Sequence, residues 1–559
     1  MQSGRLEKCL LGFIVQINSI IIVGGGSSGW FTASMLSKHC PEIDVTLVES
    51  PNVPTIGVGE STLGQINQFF GSLDMKDEDW MPACNATYKA SIKFTDFHKK
   101  GEAFHYPFGN FDYTENKFRH DDWFLKKWLY PETPYSDFAD TYWPAMPLIK
   151  ENKIYFNEDN LIPNFNPKID YAYHMDATLL GNWMRDNLCK NINHILDDVV
   201  EVNLDRKGWI SSITLKEENP LVADLYIDCT GFKSLLLEQS LGVKYISFND
   251  ILINNNAWTC HIPYDENYIE SEMEVVTNCT AIENGWVWNI PLWNRIGSGY
   301  VYSDKFIDSD TALKEYQDHI GVTDLDFKHI KIKNGKHERS WVKNCIAIGL
   351  SNAFVEPLES TGLLSTHDSI NMLIKTLHTK DRHINQFDRE CFNREFDMLI
   401  TAFKHFVGMH FYLSSRDDTE YWNWYTQELG MPEHFYPGES DALVISQGQL
   451  DEDNYTGIKT GRINGTCDIS RNRFQYHTML GLSEGQLAIL SGHHWNIYSD
   501  YIRTNLSYNR ELWAAANKDW FKEDLQPVFD YWDKRKLRIE RLAKHCPTQY
   551  EYLGEHIYK

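Results

Sequence analysis

Residues 18–23 form a short β-branched run that stops at a glycine cluster, Gly24-Gly25-Gly26-Ser27-Ser28-Gly29. The stretch 30–39 then reads as a helix, and 45–48 as a second strand closed by Glu49. Strand, glycine turn, helix and strand, with an acid 20 residues after Gly29, is the setting that a dinucleotide fingerprint requires. In that setting Gly24 makes the tight turn, Gly26 lets backbone approach a pyrophosphate, and Gly29 lets helix and strand pack. The helix N-terminus supplies unpaired N–H groups to the phosphates, and Glu49 accepts from ribose hydroxyls.

Further along, His174-Met175-Asp176 precedes a helix over 177–188, and strands are expected over 195–202, 223–231 and 341–349. The second of these ends Ile227-Asp228-Cys229-Thr230-Gly231, similar to the strand that returns to the cofactor in flavoproteins with two dinucleotide folds. A loop over 350–362 opens onto a helix near 363–377. Tyr88, Ala90, Ile92 and Phe94 alternate with Lys89, Ser91 and Lys93, so the pattern by itself predicts a half-buried strand with Lys89 on its polar, solvated face. Trp286 and Trp288 share one face of another strand. Beyond about Ser414 the chain turns helical and rich in Trp and Tyr, with a polar loop at 457–472.

Composition narrows the classes. A length of 559 residues exceeds one ordinary domain. A net charge of −25 argues against nucleic acid, because no basic stripe could offset phosphate repulsion. The 11 cysteines are scattered with no Cys-x-x-Cys, the usage of reduced thiols in a cytoplasmic protein. The apolar stretch 10–15 is short and followed by Gln16 and Asn18, so it does not read as a signal peptide. No run approaches the roughly 20 apolar residues of a membrane helix. The adjacent His493 and His494 do not converge as ligands, and no metal is expected.

Five segments then carry a resemblance. Gly285-Trp286-Val287-Trp288-Asn289-Ile290-Pro291 resembles the signature of flavin-dependent halogenases of the tryptophan-halogenase family. Thr55-Ile56-Gly57-Val58-Gly59-Glu60-Ser61-Thr62 is similar to that family's flavin strap, and Asn85-Ala86-Thr87-Tyr88-Lys89 to its catalytic-lysine segment. Gly297-Ser298-Gly299-Tyr300-Val301-Tyr302-Ser303 follows the Trp motif in family order, and Glu356-Pro357-Leu358-Glu359-Ser360-Thr361-Gly362 resembles the halide and catalytic-glutamate loop. His410-Phe411-Tyr412 and Ser414-Ser415-Arg416-Asp417-Asp418-Thr419 extend the match, which spans most of 18 to about 425.

The resemblance implies an α/β, FAD-binding Rossmann-like core with an added β-sheet and a mainly helical C-terminal region. Three parts follow: an extension over 1–17, a FAD-binding and halide-oxidising core over 18–415, and a substrate-side region over 416–559. It implies reduced FAD from a separate flavin reductase, O₂ and a halide ion (chloride, bromide or iodide), with a small electron-rich aromatic substrate, indole- or phenol-like. Catalysis falls to Lys89, which holds hypohalous acid or carries halogen as a haloamine, and to Glu359, with Glu356 as the runner-up. FAD contacts fall to Gly24, Gly25, Gly26, Ser28, Gly29, Glu49, Ser50, Val53, Ile56, Val58, Ser61, Val199, Leu350 and Leu363. Ser360, Thr361 and Gly362 would hold halide, and Trp286, Trp288 and Pro291 would keep substrate from the flavin. Phe108 matches an aromatic that sandwiches indole, and Tyr106 falls where tryptophan-specific members usually have His. The segment that grips free tryptophan's charged groups has no counterpart beyond the neighbourhood of His493-His494-Trp495-Asn496. The alternatives are an aromatic monooxygenase on the same scaffold and a non-catalytic FAD-binding protein.

Overall fold

The computed structural model describes residues 14–53, 59–109, 122–157, 159, 161–429, 484–494 and 518–559. Ile56, Val58 and the 457–472 loop lie outside them. The β-branched run becomes the strand Ser19–Val23, at the centre of a six-stranded sheet. It pairs in parallel with Asp44–Glu49 on one side (Ile20 opposite Val45) and with Leu225–Asp228 on the other (Ile20 opposite Leu225). Asn193–Leu196 and the hairpin Trp341–Val342/Cys345–Ala347 complete the edges. From Ile20 to Val23 the central strand is apolar and buried because neither face meets water, as is usual for a parallel sheet. The helix Ser27–His39 leaves the glycine turn and buries Trp30, Phe31 and Leu36 against the core.

Two strands break where the sequence reading ran on. The stretch 195–202 is divided into Asn193–Leu196 and Val199–Leu204, which belong to different sheets. Asp197 and Asp198 stand at the break, where Asp197 accepts from the backbone N–H groups of Asp198, Glu217 and Glu218. The stretch 341–349 is a tight hairpin instead of one strand, since Lys343 takes a left-handed φ of 54° at its turn. The chain ahead of Ser19 also joins the body: Val15–Gln16 pairs antiparallel with His383–Ile384.

A second sheet of seven strands carries the aromatic motif. Its order is Lys328–Lys331, Asn256–Ile262, Ile296–Tyr302, Gly285–Pro291, Val276–Ala281, Ser91–Thr95, Ala103–Pro107. All neighbours are antiparallel except Val276–Ala281 with Ser91–Thr95. Trp288 sits opposite Gly299, where a Cβ would lie only 2.2 Å from the indole. The glycine therefore makes room for the ring.

Lys89 ends a separate short strand, Thr87–Lys89, paired with Ala172–Met175 in a three-stranded sheet. After Ala90 the chain passes into the seven-stranded sheet. This change of sheet overturns the solvated reading of Lys89, which is fully buried together with Tyr88 and Ala90 on the opposite face. Alternation locates one polar face of a strand; it does not tell whether another layer covers that face.

The helix Gln386–Tyr412 opens on a capping box, with Asn385 accepting from Phe387 and Asp388 N–H and Asp388 returning to the Asn385 N–H. After 415 the described chain is mainly helical: Glu420–Asn423 and its continuation Trp424–Leu429, then Glu484–Gly492, Lys518–Ala543 and Gln549–His556. These helices pack back onto the core. Gln549 accepts from the Tyr88 N–H beside Lys89, and Arg535 donates to the Asp140 carbonyl. No described helix is long and apolar enough to cross a membrane. Each described cysteine is a free thiol.

Candidate active site

A cavity of about 630 Å³ opens over the C-terminal ends of the parallel strands, where open α/β sheets characteristically bind ligands. Gly24, Gly25, Gly26, Ser28, Glu49, Ser50, Val53, Ser61, Val199, Leu350 and Leu363 all line it. Gly29 does not; its Cβ would stand 1.9 Å from the Gly24 carbonyl, so it serves helix–strand packing. Gly24 has φ +115°, a conformation that L side chains rarely adopt, and abuts the Cys229 carbonyl. A Cβ on Gly26 would meet nothing within 4 Å. That position is thus an open cradle on the protein side, with room for a group that needs close backbone approach. The Glu49 carboxylate is held by His194 Nε2 at 2.9 Å.

The far wall is built by the loop 356–362. Ser360 adopts a left-handed conformation (φ 57°, ψ 31°) and starts the helix Thr361–Thr379. This turn puts Ser360, Thr361 and Gly362 at the cavity, with the N-terminus of a 19-residue helix behind them. Thr361 Oγ1 is buried with no hydrogen-bond partner. Unpaired N–H groups and the positive end of the helix dipole suit a small anion there.

Lys89 lies on the other side of Ser360. Its Nζ donates to the Thr62 carbonyl (2.9 Å) and to Ser360 Oγ (2.8 Å) and sits 4.9 Å from the centre of the Phe108 ring. Burial pushes its pKa down to about 7, against the opposing pull of Cys279 and Glu359. Ser360 passes the chain on, donating to Ser61 Oγ at 3.0 Å; Ser61 meets Thr277 Oγ1 at 2.7 Å, and Thr277 meets His174 Nε2 at 2.8 Å. This hydroxyl relay assembles residues from four distant segments, and no local sequence signal marks Thr277 or His174 as part of it.

The two glutamates of the loop differ. Glu356 Oε2 accepts from Asn254 Nδ2 and Trp286 Nε1, each at 2.8 Å, so it is fixed inside a structural network. Glu359 is fully buried, neither of its oxygens has an aligned hydrogen bond, and His410 Nε2 stands 2.8 Å from Oε1. Burial raises the Glu359 pKa, while His410 and Lys89 oppose the rise. The two carboxylates therefore stand in different settings, Glu356 with one oxygen hydrogen-bonded and Glu359 with neither.

Trp288 lines the cavity, with Trp286 at 5.9 Å from it (ring centroids, 55° between planes). Trp286 and Pro291 are not among the lining residues. The Pro291 carbonyl instead accepts from Thr87 Oγ1 at 2.6 Å and ties the Trp strand to the Lys89 strand. Phe108 and Tyr106 lie on the Lys89 side: Tyr106 is edge-on to Phe108, Trp143 and Phe406, all at 6.2 Å. Farther out, His494 approaches Glu102 at 2.8 Å and His98 at 4.0 Å between ring centroids, rather than working with its neighbour His493. The donor atoms of His98, Glu102 and His494 lie within 4.8 Å of one another, a grouping hidden from a reading of adjacent residues. Trp495 and Asn496 lie outside the described residues.

Comparison with known proteins identifies the family of the chain. Residues 19–437 match the family model "Tryptophan halogenase". The tryptophan 6-halogenase SttH of Streptomyces toxytricini is 36% identical over 430 residues, covering 72% of this chain and 80% of its own. The tryptophan 7-halogenase RebH of Lentzea aerocolonigenes is 32% identical over 426 residues, covering 73% and 78%. Among solved structures, the apo structure of VirX1 superposes with a TM-score of 0.83 at 40% identity, covering 97% of this chain and all of that one. The SttH crystal structure gives 0.74 at 31% identity, covering 96% and 99%. By family model, by relatives and by fold, this chain belongs to the tryptophan halogenase family of flavin-dependent halogenases.

Proposed function

We propose that this protein halogenates an electron-rich aromatic ring, indole- or phenol-like, using halide oxidised at reduced FAD with O₂ and delivered through Lys89. The observation that carries the reading is the position of Ser360, which both lines the large cavity and accepts from Lys89 Nζ. A single side chain thus joins the cofactor side to a buried amine.

The glycine cradle, Glu49 and the helix N-terminus at Ser27 fit FAD, with Gly26 leaving the space a pyrophosphate needs. Bound there in its reduced form, FAD supplies with O₂ the two-electron oxidation of halide. The helix start at Ser360, Thr361 and Gly362 is the natural halide site, since anions sit well on unpaired N–H groups. No second glycine-rich nucleotide fingerprint occurs in the sequence, in keeping with reduction of FAD by a separate reductase.

Lys89 works best as a neutral amine. An –NH₂ has two N–H donors, and the Thr62 carbonyl and Ser360 Oγ take both, leaving the nitrogen lone pair to accept halogen. Glu359, with two oxygens free of aligned hydrogen bonds, stabilises the cationic ring that follows halogen addition and accepts its proton. Trp288 at the cavity wall disfavours an aromatic monooxygenase, which needs its substrate against the flavin.

The test supplies purified protein with FAD, a flavin reductase and its NAD(P)H reductant, O₂, indole and chloride, bromide or iodide in turn, and weighs the products. A halogen-bearing product is expected from the natural chain, and none from Lys89→Ala, which should still consume O₂ and reduced FAD. Halogenated product from folded Lys89→Ala overturns the role of Lys89.

A further inference from the structure

His410 has no role in the scheme so far, yet its setting is unusually constrained. The ring is fully buried near the end of the helix Gln386–Tyr412. Its Nδ1 lies 3.2 Å from the carbonyl oxygens of both Phe406 and Val407. Carbonyl oxygens only accept, so Nδ1 bears a proton. Nε2 is then the atom that faces Glu359 Oε1 at 2.8 Å. A neutral imidazole and an ionised carboxylate in that arrangement would press two lone-pair atoms together in a dry site. The contact is tolerable only if the pair holds one further proton.

We propose that His410 is the positioning residue of the halogenation step: as an imidazolium anchored on the helix carbonyls, it holds Glu359 as a carboxylate and leaves Oε2 to take the ring proton. The inference rests on the halogenase reading above. In the step itself the C–H bond at the halogenated ring carbon breaks and its electron pair returns to the ring, restoring aromaticity. The proton passes to Glu359 Oε2, and Oε1 keeps its contact with His410.

The neighbours support this assignment. Lys89 and Cys279 are the titratable groups that face Glu359 from other strands, and both are themselves driven toward neutrality by burial. His493, after the helix Glu484–Gly492, faces His410 at 6.4 Å between ring centroids, and burial holds its pKa well below the usual imidazole range. Phe94, Phe97 and Phe406 pack the rest of the ring at 4.5, 6.1 and 5.9 Å. Glu356 is engaged with Trp286 and Asn254. His410 is therefore the cationic partner nearest to Glu359. Without it, burial would leave a carboxylic acid, which cannot accept a proton.

The experiment compares indole with ring-deuterated indole in single turnovers with bromide and reduced FAD, for the natural chain, His410→Phe and His410→Gln. His410→Phe should react at least about tenfold more slowly, with a deuterium isotope effect larger than that of the natural chain and an acid limb displaced to higher pH. His410→Gln keeps an N–H donor for Oε1 without the charge, and should recover part of the rate. An isotope effect and pH profile unchanged in both variants overturn the proposal, whatever the rate. A separate infrared titration of the FAD-bound protein without substrate follows the Glu359 carboxyl, identified by its loss in Glu359→Gln. Its midpoint should rise in His410→Phe, and an unmoved midpoint also overturns the proposal. If the natural chain halogenates no ring, the halogenase reading fails while the titration still judges the pair.

Discussion

The buried amine of Lys89 makes a quantitative prediction about pH. Full burial, partly opposed by Cys279 and Glu359, lowers its pKa from 10.5 to about 7, a net effect of about 5 kcal/mol at roughly 1.4 kcal/mol per unit. At pH 7 a solvated lysine would be free amine in only about 0.03% of molecules, whereas here about half are. Burial thus raises the reactive fraction by about 10³-fold. The sign follows from which form reacts. If the amine accepts halogen, activity is present above the pKa and lost as pH falls through about 7. The free fraction then climbs from about a tenth at pH 6 to about nine-tenths at pH 8. If instead an ammonium held hypohalous acid by hydrogen bond, the dependence would run the other way. The assay is a single-turnover halogenation of indole with pre-reduced FAD and saturating bromide between pH 6 and 8.5, with flavin oxidation followed in parallel as a control. A yield per flavin oxidised that rises about tenfold over this range supports the amine. A falling or flat yield refutes it, and with it the argument from the two occupied N–H donors.

Gly26→Val should raise the Kd for FAD at least about tenfold, or about 1.4 kcal/mol, with little change in Tm, because the added side chain meets space and not protein; titration by flavin fluorescence that finds native affinity would dismiss the cradle. Gly29→Ala offers the contrast, since its Cβ strikes the Gly24 carbonyl and should lower Tm as well. Glu359→Gln should slow ring substitution by about 10²–10⁴-fold while FAD binding stays native; a natural rate would remove Glu359 from the chemistry. Free tryptophan should be a poorer substrate than indole, since burying its ammonium and carboxylate needs paired charges and the sequence shows no recognisable match to the segment that supplies them in tryptophan-specific members; a kcat/KM for tryptophan well above that for indole would reverse this view.

Local chemistry made much of the cofactor side legible in advance. A β-branched strand, a glycine turn and an acid at a fixed distance can be read from one segment, because the physics that places them is itself local: Gly24 needs a positive φ and Glu49 closes the next strand. The paired indoles of the Gly285–Pro291 strand, and the short chain from Glu356 to Gly362, stood out instead through their resemblance to segments of a known family. The tertiary structure decided what depends on a second layer. Lys89 carries the pattern of a surface lysine, and only the passage of its strand from one sheet to another, with Ala172–Met175 and Gln549 beside it, turned it into a buried amine with its pKa near 7. Glu356 and Glu359 are equivalent in composition and three residues apart. Asn254 and Trp286 occupy the first and His410 meets the second, across separations of 51 residues or more that no periodicity encodes. A side chain's protonation is set by everything that displaces water from it, and that enclosure exists only once the chain has folded.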